Sequence, residues 1–189
     1  MMVSGQAGHI AKMVALMVCF VLWATVVIAG VNEDLFEAAK AGNLAAVKSL
    51  IAKGVHVNAK DKNGGVALIA ASFNGHKEVV QALIDKGADV NIKVGNTAST
   101  ALMLASQNGH QEVVQLLINK GADINAKDKT GKTSLIIASA LGKKEVVQVL
   151  LNKKADVNAK TNDGKTALMV ASESGHKEVR EMLIKAGAK

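Results

Sequence analysis

The sequence predicts an all-α solenoid of about five helix-turn-helix units with protruding turns. Three observations predict it. One heptad recurs, as GVHVNAK at 54–60, GADVNIK at 87–93, GADINAK at 121–127 and KADVNAK at 154–160. The copies begin at 54, 87, 121 and 154, in steps of 33, 34 and 33 residues, and Gly187-Ala188-Lys189 opens another copy 33 residues further on. Between copies, apolar residues fall at helical spacing and glycine closes each run. A fixed period of this length marks a stack of like supersecondary units.

The first element stands outside the repeat. Residues 13–31, MVALMVCFVLWATVVIAGV, carry no charge; His9 and Lys12 precede them and Asn32-Glu33-Asp34 follow. A positive start, an apolar stretch and the Val27-Ile28-Ala29 cleavage site read as a secretory signal peptide over residues 1–29. Nineteen apolar residues can also just span a bilayer, so the second reading is an uncleaved membrane anchor over 13–31. Both readings leave the basic end inside and the remainder outside. The expectation is an exported protein, periplasmic or secreted, or one anchored in the membrane by residues 13–31. A lipid anchor at Cys19 is disfavoured, because bulky Val18 precedes it.

Residues 30–189 form the repeat domain. In the stretch 100–127, Thr100 is placed to cap a first helix over TALMLASQN through its hydroxyl. Gly109 ends that helix, because the left-handed cap is cheapest for glycine. Val113, Val114, Leu116, Leu117 and Ile118 give a second helix a wide apolar stripe, and Gly121 ends it. A short extended piece leads to the turn Asp128-Lys129-Thr130-Gly131. Two short helices cannot bury their own apolar faces. Ordering one unit costs on the order of 50 kcal/mol, so each pair must borrow contacts from both neighbours.

Composition narrows the function. No cysteine follows residue 31, which excludes a disulfide framework or thiolate metal site in the repeats. Net charge is +7, almost all from lysine, with Arg180 the only arginine. Lysines are interspersed with acids and aromatic residues are scarce, so nucleic acid is not an expected partner. His76, His110 and His176 recur in register, but neighbouring helices about 8–10 Å apart cannot bring them onto one metal ion. They read as structural, as do Asp89, Asp123 and Asp156; His56 replaces that aspartate in the first unit and reads as merely exposed. No nucleophile elbow, phosphate loop or dinucleotide fingerprint occurs. No catalytic residue, metal or cofactor is assigned, and the chain is not expected to be an enzyme.

TALMLAS, NGH and GADIN, recurring in that order, resemble the ankyrin repeat across 33–189. Five units align, at 33–60, 61–93, 94–127, 128–160 and 161–189. The family's Pro is Ala67, Ala101, Ser134 and Ala167, and its His is Ile69, Met103, Ile136 and Met169. Hydrogen bonding that the family His supplies between loops is therefore missing, and apolar packing must substitute in softer loops. Val66 replaces the capping Thr, and Lys154 replaces a terminal Gly. In this Pro-less form the motif looks more like bacterial ankyrin proteins than vertebrate ones, which favours the periplasm. Glu37 in the first unit and Arg180 in the last put charge where internal units are apolar. Both read as end caps, giving an array complete at five units.

The resemblance implies a protein partner held on a concave face lined by the short first helices and the turn tips, with the chain a monomer. On those helices the exposed pairs are Phe73-Asn74, Gln107-Asn108 and Ala140-Leu141, flanked by Lys40-Ala41 and Glu173-Ser174. Phe73 and Leu141 are apolar where solvent is expected, as buried anchors of an interface are. The turn VGNTAS at 94–99 has one extra residue and no glycine at the usual place. Lys60, Lys62, Lys93, Lys127, Lys129, Lys132, Lys160 and Lys165 line the tips, interrupted by Asp61, Asp128 and Asp163. The candidate partner-binding set is Phe73, Asn74, Gln107, Asn108, Ala140, Leu141, Lys129 and Lys132. The alternative is a membrane-anchored envelope protein that presents its lysine-rich tips to anionic lipid or cell-wall polymer.

Overall fold

A computed structural model describes residues 32–189. The signal or anchor assigned to residues 1–29 or 13–31 lies outside the described residues. Ten helices occur among the described residues: α1 (32–40), α2 (Leu44–Ala52), α3 (Ala67–Asn74), α4 (Lys77–Asp85), α5 (Ala101–Asn108), α6 (Gln111–Asn119), α7 (Ser134–Ala140), α8 (Lys144–Asn152), α9 (Ala167–Glu173) and α10 (Lys177–Lys185). Odd-numbered helices form an inner layer and even-numbered helices an outer one; from α3 to α10 the two helices of a unit pack together, and α2 to α8 each pack on their counterpart in the next unit. Extended backbone is limited among the described residues to isolated bridges at the turn tips, such as Lys60 with Val66 and Lys160 with Thr166. No described helix is long and apolar enough to cross a membrane.

The local rules set the helix ends. Thr100, Thr133 and Thr166 accept the amides of Met103, Ile136 and Met169 through their hydroxyls, as N-caps do. Val66 occupies the same place and makes no such bond. Gly75 and Gly109 close α3 and α5 in the left-handed region. The core is one continuous seam in which Leu68, Leu102 and Leu135 of the inner layer and Leu83, Leu117, Leu150 and Leu183 of the outer layer are fully buried.

Neighbour dependence shows at the stack's end. Met103 and Ile136 are 1% exposed, whereas Met169, in the same register of the last unit, is 48% exposed and Ile184 is 47% exposed. Glu37 in the first unit and Arg180 in the fifth are both exposed. In the last unit the charge stands beside uncovered apolar side chains.

Among the described residues two that are not glycine hold positive φ: Lys154 at 62° and Ala98 at 57°. Ala98 fills the place that Gly64, Gly131 and Gly164 take in other turns, which accounts for the missing glycine of the 94–99 turn. Left-handed backbone costs an L-residue about 1–2 kcal/mol, partly offset by glycine's greater freedom when unfolded. Lys154→Gly is therefore expected to raise the melting temperature, by roughly 1 kcal/mol of added stability. An unchanged or lower melting temperature would contradict this cap assignment.

Candidate functional site

The inner helices and turn tips of the last three units enclose a groove of about 670 Å³. Its floor includes Leu104, Ile137 and Val170, one residue per unit in a single register, each partly buried. Phe-free and aliphatic, this column is interrupted in the second unit by the small Ala70 and in the first by Glu37. Gln107, Ala140 and Leu141 line the same groove from the ends of α5 and α7. Thr97, Ser99, Asp128, Lys132, Asp163 and Lys165 form the opposite wall from the tips.

That wall is stitched together. The Lys129 amide donates to the Thr97 carbonyl at 2.9 Å, joining the third tip to the fourth. The Asn162 amide donates to the Thr130 carbonyl at 2.9 Å, and its side-chain Nδ2 to the Lys129 carbonyl at 2.9 Å, joining the fourth tip to the fifth. Thr97 and Thr130 hold the same place in their turns, so the two junctions use the same bond. At the family His position Ile69, Met103 and Ile136 are buried and Met169 is exposed, while backbone and asparagine groups link the last three tips.

Four of the eight residues assigned from sequence line the groove: Gln107, Lys132, Ala140 and Leu141. Leu141 is 48% exposed. Phe73 lies outside it, one unit away, and is 41% exposed. Its carbonyl accepts from His110 Nε2 at 2.9 Å and from Asn108 Nδ2 at 2.6 Å, so the ring stands on a fixed backbone. Asn108 is thereby committed to a structural bond, and Asn74 donates to the Ala70 carbonyl. Lys129 contributes its backbone to the tip junction. Sequence reasoning does not single out Leu104, Ile137 and Val170; their shared register with exposed Glu37 is the signal that they face outward in part.

The charges on the wall differ in their partners. Asp128 Oδ1 accepts from the amides of Thr130 and Lys132 and from the Thr130 hydroxyl. Asp163 is held below the usual carboxylate range, first by the Thr161 hydroxyl it accepts from and to a lesser extent by nearby lysines. Lys165 pairs with Glu173 at 2.6 Å, which raises its pKa. Lys93 and Lys127 donate to the Lys127 and Lys160 carbonyls of the following units. Among the described residues Lys132 forms no ion pair within 4 Å.

The repeated polar residues serve the stack. His76, His110 and His176 donate from Nε2 to the carbonyls of Lys40, Phe73 and Ala140 in the preceding unit, at 2.9, 2.9 and 3.1 Å. Since a carbonyl only accepts, Nε2 carries the proton in each. Asn58 and Asn91 bridge forward: Oδ1 accepts from the Asp89 and Asp123 amides, and Nδ2 donates to the Gly87 and Gly121 carbonyls. Asp89, Asp123 and Asp156 each accept the amide two residues on and so brace their turns. His56 is exposed as expected, yet not idle: its Nδ1 accepts the Asn58 amide at 3.3 Å and replaces the aspartate's bond. Among the described residues no three His, Cys, Asp or Glu side chains are grouped to hold a metal ion.

A stack of helix pairs joined by repeated polar bridges, with a groove along its inner layer, defines a repeat-scaffold protein. A family profile described as Ankyrin repeats (3 copies) matches residues 35–128 and 125–189. The chain belongs to the ankyrin-repeat family, a general protein-interaction scaffold. It is 47% identical over 60 residues to Ankyrin repeat domain-containing protein 29 of Danio rerio, across 31% of this chain and 20% of that protein. It is 44% identical over 63 residues to the human Mitochondrial disaggregase, across 32% of this chain and 9% of that protein. YahD, an ankyrin repeat protein of Escherichia coli K12, is 43% identical over 58 residues, across 31% of this chain and 29% of its own length. In each case the matched stretch is less than a third of the relative. Vertebrate and bacterial proteins match at similar identity.

Proposed function

We propose that the chain is a non-catalytic scaffold that binds another exported protein, in the periplasm or outside the cell, through the inner face of its stack. The observation that carries this reading is the groove over the last three units, with an aliphatic floor, a hydrogen-bonded wall and Leu141 half-exposed at its edge. A rigid apolar concavity with polar walls is the kind of surface on which a few anchors supply most of the binding energy. Export rests on the apolar stretch before residue 32 and its small-residue cleavage site.

Crosslinked capture from the exporting cell, with the parent and the Phe73→Ala, Leu141→Ala double variant compared, tests it. The captured partner is expected to bind the double variant at least about tenfold more weakly, roughly 1.4 kcal/mol. Equal retention by both proteins would remove this face as the site. A second reading is favoured by the length of 13–31 and by the lysine line at the tips: retention in the membrane, with the tips turned to anionic lipid or cell-wall polymer. Fractionation separates the two, because only retention leaves a Trp23-containing product in the membrane pellet.

A further inference from the structure

We infer that the groove over the last three units takes an extended acidic peptide segment that carries an aliphatic side chain at every third residue. The inference rests on the scaffold reading above and specifies the partner's chemistry.

The period comes from the floor. Leu104, Ile137 and Val170 stand in one register on three successive inner helices, so the groove repeats its apolar surface once per unit. Packed neighbouring helices lie about 8–10 Å apart. A polyproline II segment rises about 3.1 Å per residue with three residues per turn, so its same-face side chains recur about every 9 Å. A β-strand returns to the same face about every 6.6 Å and falls out of step after one unit.

The acidic character comes from the wall. Along the tips and their leads the lysines are Lys93, Lys127, Lys129, Lys132, Lys160 and Lys165; the groove itself is lined by Lys132 and Lys165 with Asp128 and Asp163, Lys165 is paired with Glu173, and the excess positive charge lies along the rim. Both aspartates accept hydrogen bonds from their own turns, and Lys132 lines the groove with no ion-pair partner among the described residues. The hydrogen bonds that tie the three tips together hold this wall in place before binding, which lowers the ordering cost of a linear ligand. The second unit has Ala70 in the floor register and no such stitch to the third tip among the described residues, which sets the groove's limit.

Fluorescence anisotropy with the full-length protein tests the inference. The labelled probes are short peptides: repeating leucine-aspartate-aspartate, alternating leucine-aspartate, repeating leucine-lysine-lysine, and polyglutamate. The first is expected to saturate, with the other three at least about tenfold weaker. Lys132→Glu and Leu141→Asp, both at exposed side chains, are each expected to weaken it about tenfold, while Lys86→Glu on the outer layer leaves it unchanged. Unaltered thermal melts would confirm that the variants are folded. The inference is overturned if the leucine-aspartate-aspartate peptide does not saturate. It also fails if either of the other acidic probes binds as tightly, or if phosphatidylglycerol vesicles bind through Lys132 and are not displaced by the peptide. Capture that still depends on Phe73 and Leu141 would then leave the scaffold reading standing with a partner of different chemistry.

Discussion

Gly75→Ala is expected to destabilise the stack by about 2–4 kcal/mol. Gly75 sits at φ 79°, so any side chain there meets the left-handed penalty of about 1–2 kcal/mol. The added methyl carbon would also lie 2.6 Å from Nδ1 and 2.8 Å from Cε1 of His110. That ring cannot swing aside freely, because its Nε2 donates to the Phe73 carbonyl. Displacing it loses a bond worth about 1 kcal/mol and leaves the carbonyl with one donor fewer. Gly109→Ala is the matched comparison. Gly109 has nearly the same φ, 83°, but the nearest atom is Cδ of Lys143 at 3.3 Å, on a stem that can bend. Its loss is expected to be the backbone part alone, about 1–2 kcal/mol. Urea denaturation of the two variants reads the difference, and equal losses would show that the imidazole offers no resistance.

The isolated fourth unit, 128–160, is expected to have no cooperative structure. Its helices have seven and nine residues. Helices shorter than about 12–15 residues are marginal in water, so packing must hold them. In the stack Leu135, Ile136, Ala138, Val146, Val147 and Leu150 are almost fully buried, and α7 packs on both α5 and α9 while α8 packs on both α6 and α10. Cutting out the unit returns both flanks of that surface to water. Circular dichroism of the fragment is expected to show coil without a thermal transition, whereas 61–160, which keeps three units together, is expected to melt cooperatively. A cooperatively helical 128–160 fragment would sink the account of stability by stacking.

Much of this was legible in the chain. The 33-residue step fixed the unit. Thr100, Gly109 and Gly121 marked helix ends where the structure has them, and Lys154 was correctly read as left-handed. These depend on local backbone chemistry, which a short stretch of sequence carries. The groove was only half legible. Gln107, Ala140 and Leu141 stand out because they vary where other positions repeat. Leu104, Ile137 and Val170 look like any core residue, and their partial exposure depends on how far the tips overhang the inner layer. His56 was misjudged for a related reason: residue type alone does not reveal that an imidazole nitrogen can fill a carboxylate's place in a turn.

The fourth unit carries Lys143 where three others carry His76, His110 and His176. Among the described residues no imidazole therefore clasps the third unit to the fourth, and Asn125 Nδ2 makes no counterpart of the Asn58 and Asn91 bonds to Gly87 and Gly121. The tips at that same boundary are bonded through Lys129 and Thr97. Asn125 Oδ1 still accepts the Asp156 amide and Lys153 still donates to Asn119 across this boundary, so what the seam lacks is the imidazole clasp, and it is expected to loosen first at that short turn. Amide exchange is expected to be fastest there among the internal seams, and a ligand lying across the seam on the inner face would act as its clasp.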